Sequence, residues 1–131
     1  MRRNLVSFVL VGMLALAAAG CATVSRASVQ QGNIITSAEV ERLRQPGVFR
    51  TQVMIIEVDA AGTERVMAAP TVISREGETA TISVENDTEH ITVLVRIPGS
   101  KHYDEGAEID IKIEQHGKLV SSPRMTVQVP G

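Results

Sequence analysis

Three runs in the second half of the chain alternate apolar and polar residues with period two. Ala80, Ile82 and Val84 stand against Thr79, Thr81 and Ser83; Ile91, Val93, Val95 and Ile97 against Thr92 and Arg96; Ile109, Ile111 and Ile113 against Asp110, Lys112 and Glu114. Successive side chains of a strand point to opposite faces, so each run lays one apolar row on one side of a sheet. A helix, with its period of 3.6, cannot gather these residues on one face. Val53, Met54, Ile55, Ile56 and Val58 are almost continuous and rich in β-branched types, which predicts a strand buried on both faces. Turn chemistry separates the runs at Ala60-Ala61-Gly62, Arg75-Glu76-Gly77-Glu78, Glu85-Asn86-Asp87-Thr88, the longer Pro98 to Gly106 loop and His116-Gly117. A last strand is expected over Met125 to Val129. Sequential strands joined by short turns predict a mainly all-β fold, an antiparallel meander forming a small sandwich or curled sheet.

The beginning of the chain reads differently. Arg2 and Arg3 precede an apolar stretch from Leu5 to Ala19, which has the form of a secretory signal peptide. That stretch is shorter than the ~20 residues a membrane-spanning helix needs. Ala18-Ala19-Gly20-Cys21 resembles the lipobox of bacterial lipoproteins, although Ala18 stands where Leu is usual. The resemblance implies cleavage between Gly20 and Cys21 and a diacylglyceryl group with an N-acyl chain on the sulfur of Cys21. Ala22 in place of Asp after the cysteine implies transfer to the outer membrane, with the domain on the periplasmic face; the inner membrane is the alternative. Cys21 is the only cysteine, so no intramolecular disulfide is available, and a free thiol or an intermolecular bridge are the other fates.

Beyond Cys21, residues 22–35 are rich in Ser, Gln, Gly and Asn and read as a tether. Thr36 followed by Glu39 has the spacing of a capping box, which predicts a short helix over Ser37 to Arg44, stopped by Pro46-Gly47. The expected organisation is thus a signal peptide at 1–20, a tether with one short helix at 21–47, and a β-domain at 48–131.

Charge narrows the partners. The chain has 13 Lys and Arg against 15 Asp and Glu, a formal charge of −2 that becomes more acidic once Arg2 and Arg3 leave with the leader. Nucleic acid demands basic clusters, so it is not an expected partner. Of the two Phe and one Tyr, only Phe49 and Tyr103 lie beyond the leader, too few rings for a base-stacking or sugar-stacking platform.

Two segments carry a further resemblance. Gln52 to Val58, QVMIIEV, resembles the strand that opens the secretin homology region of bacterial type II and type III secretion channels. Ala69 to Val84, APTVISREGETATISV, resembles the Pro-containing β-hairpin of that region. Pro70 suits a strand start or edge, Gly77 permits a turn, and Ala80 allows close packing. Secretins place a long gate segment between these motifs, whereas Asp59 to Ala68 alone lies there in this chain, and the ring-building domains ahead of the pore are missing. The resemblance therefore implies a compact secretin-like domain without the gate.

Candidate chemistry is sparse. His90, His102 and His116 each have acidic neighbours, but their spacing fits no compact metal motif, and no metal site is expected. There is no Gly-x-Ser-x-Gly motif, and the paired carboxylates Asp104–Glu105 and Glu76–Glu78 fall in polar turns, so no catalytic residue and no cofactor beyond the lipid are expected. The expected function is a non-enzymatic outer-membrane lipoprotein acting in protein interaction, envelope assembly or secretion. Its partner would be an envelope protein or a second copy, paired along Met125, Val127 and Val129 of an open terminal edge. A periplasmic small-molecule or metal-binding module using the Pro98 to Gly106 loop, and a reduced secretin homologue forming a homo-oligomer, are the alternatives.

Overall fold

A computed structural model describes residues 24–130. Its strands are β1 (Val24–Gln31), β2 (Ile34–Arg42), β3 (Val48–Val58), β4 (Glu64–Ala68), β5 (Thr71–Arg75), β6 (Thr79–Glu85), β7 (Glu89–Arg96), β8 (Ala107–Gln115), β9 (Lys118–Ser121) and β10 (Arg124–Val127); a 3-10 helix, Ser100–Glu105, interrupts the connection between β7 and β8. They form two antiparallel sheets. Sheet A has the order β1-β2-β3-β4, with β5 sharing the far side of β3; sheet B has the order β10-β8-β7-β6, with β9 sharing the far side of β8. The expected all-β sandwich is what the chain builds.

The alternating rows behave as their period requires. Ile91, Val93 and Val95 of β7 pair across with Ile113, Ile111 and Ile109 of β8, and all six are buried on the inner face of sheet B. Phe49, Val53 and Ile55 of β3 with Val40 of β2 face them from sheet A. Burying side chains of this size contributes roughly 1.5–3 kcal/mol each, which makes the two rows the principal source of stability.

Three expectations are corrected. First, residues 24–42 are neither tether nor helix but the β1–β2 hairpin, and the capping box is not formed. Ile34, Thr36, Ala38 and Val40 are buried while Ile35, Ser37, Glu39 and Glu41 face outward, a period-two pattern. Glu39 pairs with Arg26 of β1 at 2.6 Å instead of capping a helix. The overlooked signal is Gly32-Asn33, a two-residue hairpin loop in which Gly32 has φ +60. Second, β3 is buried on one face only, because nothing among the described residues covers the outer face of sheet A: Val53 and Ile55 are buried, while Met54 is exposed. Third, the segment from Ala69 to Val84 is not a hairpin. β5 pairs with β3 and β6 with β7, so the Gly77 turn carries the chain from one sheet to the other. The Gly77 amide donates to the Ile97 carbonyl at 2.7 Å, and its φ of +78 suits glycine.

The leader, Gly20 and Cys21 lie outside the described residues.

Candidate interaction surfaces

Both rings of the β-domain meet at one end of the sandwich. Phe49 at the start of β3 is buried, and the Tyr103 ring stands edge-on to it with centroids 5.9 Å apart at 84°. The Tyr103 hydroxyl donates to Glu76 Oε2 at 2.9 Å, and the Ser100 amide donates to Glu76 Oε1 at 3.1 Å. Burial, and secondly the Glu76 carboxylate, push the Tyr103 hydroxyl above its usual pKa. The 3-10 helix is thereby clasped to the turn between the sheets. Tyr103 and Glu76 thus act together as a structural clamp.

The Pro98 to Gly106 loop borders an open depression with Gly77, Arg96, His102 and Glu108 on its walls. Arg96 is engaged by Glu108, and His102 Nδ1 lies 3.3 Å from Glu105 Oε2, so these polar groups pair with one another at its rim. His90 Nδ1 lies 3.5 Å from Glu114, on the outer face of sheet B. His116 has φ +53 and occupies a two-residue turn with Gly117, its amide bound to the Thr88 carbonyl at 2.8 Å. His90 and His116 border one open depression with Glu85, Asp87 and Glu114, while His102 lies at the other depression. Among the described residues no three His, Cys, Asp or Glu side chains converge as metal ligands would.

A charged cluster that the sequence reading missed joins the sheets at the opposite end. Glu89, only 6% exposed, accepts from Arg65 Nη2 at 2.7 Å and from Gln115 Nε2 at 3.1 Å. Arg65 of β4 also donates to Glu57 at 2.7 Å. Asn86 Oδ1 accepts from the amides of Thr88 and Glu89 and fixes the turn that presents Glu89. The bond from Arg65, above all, holds the Glu89 carboxyl below the usual carboxylate range, against the opposing effect of burial. A charged hydrogen bond of this kind specifies how the sheets dock. No regular spacing links Glu57, Arg65, Glu89 and Gln115 in sequence, so only the fold reveals it.

β10 stands at the end of sheet B, with Arg124 to Val127 paired to Asp110 to Ala107 of β8. Met125, Val127 and Val129 are all buried in the core. β1 packs along β10, and Gln31 Oε1 at the end of β1 accepts from the Ser121 hydroxyl at 2.7 Å and the Ser122 amide at 3.3 Å. The exposed apolar surface lies elsewhere. On the outer face of sheet A, Ile35, Ile56 and Val66 stand in register on neighbouring strands, with Met54 two residues along β3. Val66 is 56% exposed and Met54 37%.

Among the described residues, no helix is long and apolar enough to cross a membrane. No protein-family profile matches the chain, and no solved structure matches it significantly. Among curated proteins, the outer membrane protein assembly factor BamE of Pseudomonas fluorescens is 42% identical over 60 residues. The match is partial. It takes in 46% of this chain and 34% of the relative, so the chain spans about a third of the length of the protein it matches.

Proposed function

We propose that the protein is a non-enzymatic outer-membrane lipoprotein whose β-sandwich contacts another envelope protein during envelope assembly. The observation that carries this reading is the 60-residue match to an outer membrane assembly factor. The lipobox-like Ala18 to Cys21 supports the anchor: each buried CH₂ of acyl chain contributes about 0.8 kcal/mol, so two or more chains suffice to hold the domain at a membrane. The contact surface in this reading is the outer face of sheet A, where an in-register apolar row is left uncovered among Arg–Glu pairs such as Arg26–Glu39 and Arg65–Glu57. An apolar strip with a charged rim is the usual anatomy of a protein-binding patch. A secretion channel is the weaker reading, because β5 and β6, the strands of the secretin-like hairpin, belong to different sheets.

The test combines fractionation with crosslinking in intact cells. Cys21→Ala is expected to abolish lipid on the intact-mass spectrum and release the chain from the outer membrane. Val66→Lys with Met54→Lys is expected to leave the circular dichroism unchanged and to remove the crosslinked envelope partner. An unlipidated wild-type chain, or crosslinks unaltered by the double lysine variant, counts against the anchor or the surface respectively.

A further inference from the structure

Open sheet edges are normally blunted by proline, lysine, bulges or a covering segment, because unpaired N–H and C=O groups template another strand. Most edges of this sandwich are treated in this way. β10 has β1 beside it and Pro123 ahead of it. The β4–β5 edge is broken by Pro70 and by a register shift between Ile55 and Ile56. β9 is short and begins with Lys118. β6 carries none of the blunting residues: Thr79–Glu85 contains no Pro, Gly or Lys, its pairing with β7 runs without a bulge, and β5, which lies beside it beyond the Gly77 turn, makes no ladder with it.

The pairing fixes which groups of β6 are free. The Asn86 amide donates to the Glu89 carbonyl, and the Ile97 amide donates to the Glu78 carbonyl, so Glu78, Ala80, Ile82, Val84 and Asn86 are the positions bonded to β7. In an antiparallel ladder bonded and non-bonded pairs alternate. The N–H and C=O groups of Thr79, Thr81, Ser83 and Glu85 therefore point away from β7, and no backbone partner meets them among the described residues. Ala80, Ile82 and Val84 face the core, yet each is only half-buried, and among the described strands β6 alone has no fully buried residue. Its inner row is left partly uncovered at the same edge where its backbone is unpaired.

We propose that β6 pairs antiparallel with β6 of a second copy about a two-fold axis at Ile82, joining the two B sheets into one. Of the registers that place the free groups opposite one another, the one centred on Ile82 uses the whole strand. It sets Thr79 opposite the partner's Glu85 and Thr81 opposite the partner's Ser83 on the outer face. On the inner face it sets Ile82 opposite its own copy and Ala80 opposite the partner's Val84. No like charges meet, and the apolar row of one copy is continued and covered by that of the other. A second copy is thus the occupant whose hydrogen bonds, charge and apolar row all match. This contact uses sheet B and is independent of the sheet A surface proposed above.

A single strand pair buries less than the ~1,200–2,000 Å² of stable interfaces, so the dimer is concentration-dependent. The test is sedimentation of the detergent-solubilised, full-length lipidated chain across a wide concentration range, with the detergent contribution matched. The wild type is expected to pass from one to two copies. Ser83→Pro removes an N–H that bonds nothing within the subunit and is expected to hold the chain monomeric with unchanged circular dichroism. Thr79→Lys adds two attractive pairs with Glu85 and should tighten the dimer about three- to tenfold, whereas Thr79→Glu should weaken it by a similar factor. A wild type that stays monomeric throughout overturns the proposal. So does a dimer that Ser83→Pro leaves intact, or one to which Thr79→Lys and Thr79→Glu do the same thing.

Discussion

Thr36 tests the reading of the N-terminal segment with one hydroxyl. In a capping box its oxygen would accept from a backbone amide, and Val in its place would cost about 1 kcal/mol. In β2 the side chain is 1% exposed and its oxygen has no hydrogen-bond partner. Thr36→Val keeps the shape and removes an unsatisfied polar atom, so it is expected to raise stability by about 1 kcal/mol, read as a higher midpoint in urea. Glu89 gives the opposite case, a charged group whose partners are all present. Its folded pKa lies below the value near 4.5 of a free side chain. The ionised form is therefore favoured by folding: the stabilisation is present above about 4.5 and is lost as pH falls below that value toward the folded pKa. Glu89→Gln should lower the melting temperature at neutral pH, and the gap to the wild type should close as the solution is acidified.

At the level of elements, the strands most visible in the sequence are those whose inner positions are occupied by large β-branched residues. Ile111, 2% exposed in the middle of β8, is flanked on its own face by Ile109 and Ile113. Ile111→Ala is expected to cost about 2–5 kcal/mol in chemical denaturation, while His102→Ala, on the exposed 3-10 helix, should cost little. β2 was hidden because its inner row is Ile34, Thr36, Ala38 and Val40, two of which are small or polar. Thr and Ala contribute weakly to any periodicity count, and the Thr36–Glu39 spacing offered a local helical alternative that tertiary burial overrode. β4 was hidden for a related reason: Arg65 and Val66 are both exposed, and the bulge at Met67 breaks the alternation.

At the scale of the whole molecule, the hairpin at residues 24–42 contributes two of the five strands of sheet A, and β2 is the neighbour of β3 along its whole length. A chain beginning at Val48 is accordingly expected to lose its cooperative thermal transition, whereas a true tether would be dispensable; calorimetry of the truncated and intact chains decides it. The sequence by itself determined the fold class and strands β6, β7, β8 and β10 of sheet B, because period two and turn glycines are local patterns readable without knowing what touches what. Tertiary structure alone decided that β5 and β6 part company at Gly77, that Glu89 meets Arg65 across the sheets, that β1 lies beside β10, and that the outer backbone groups of β6 are left without a ladder partner. Each of these is a choice of neighbour between segments distant in sequence. Such choices are made by the burial of whole faces and the pairing of charges across the core, which no run of adjacent residues encodes.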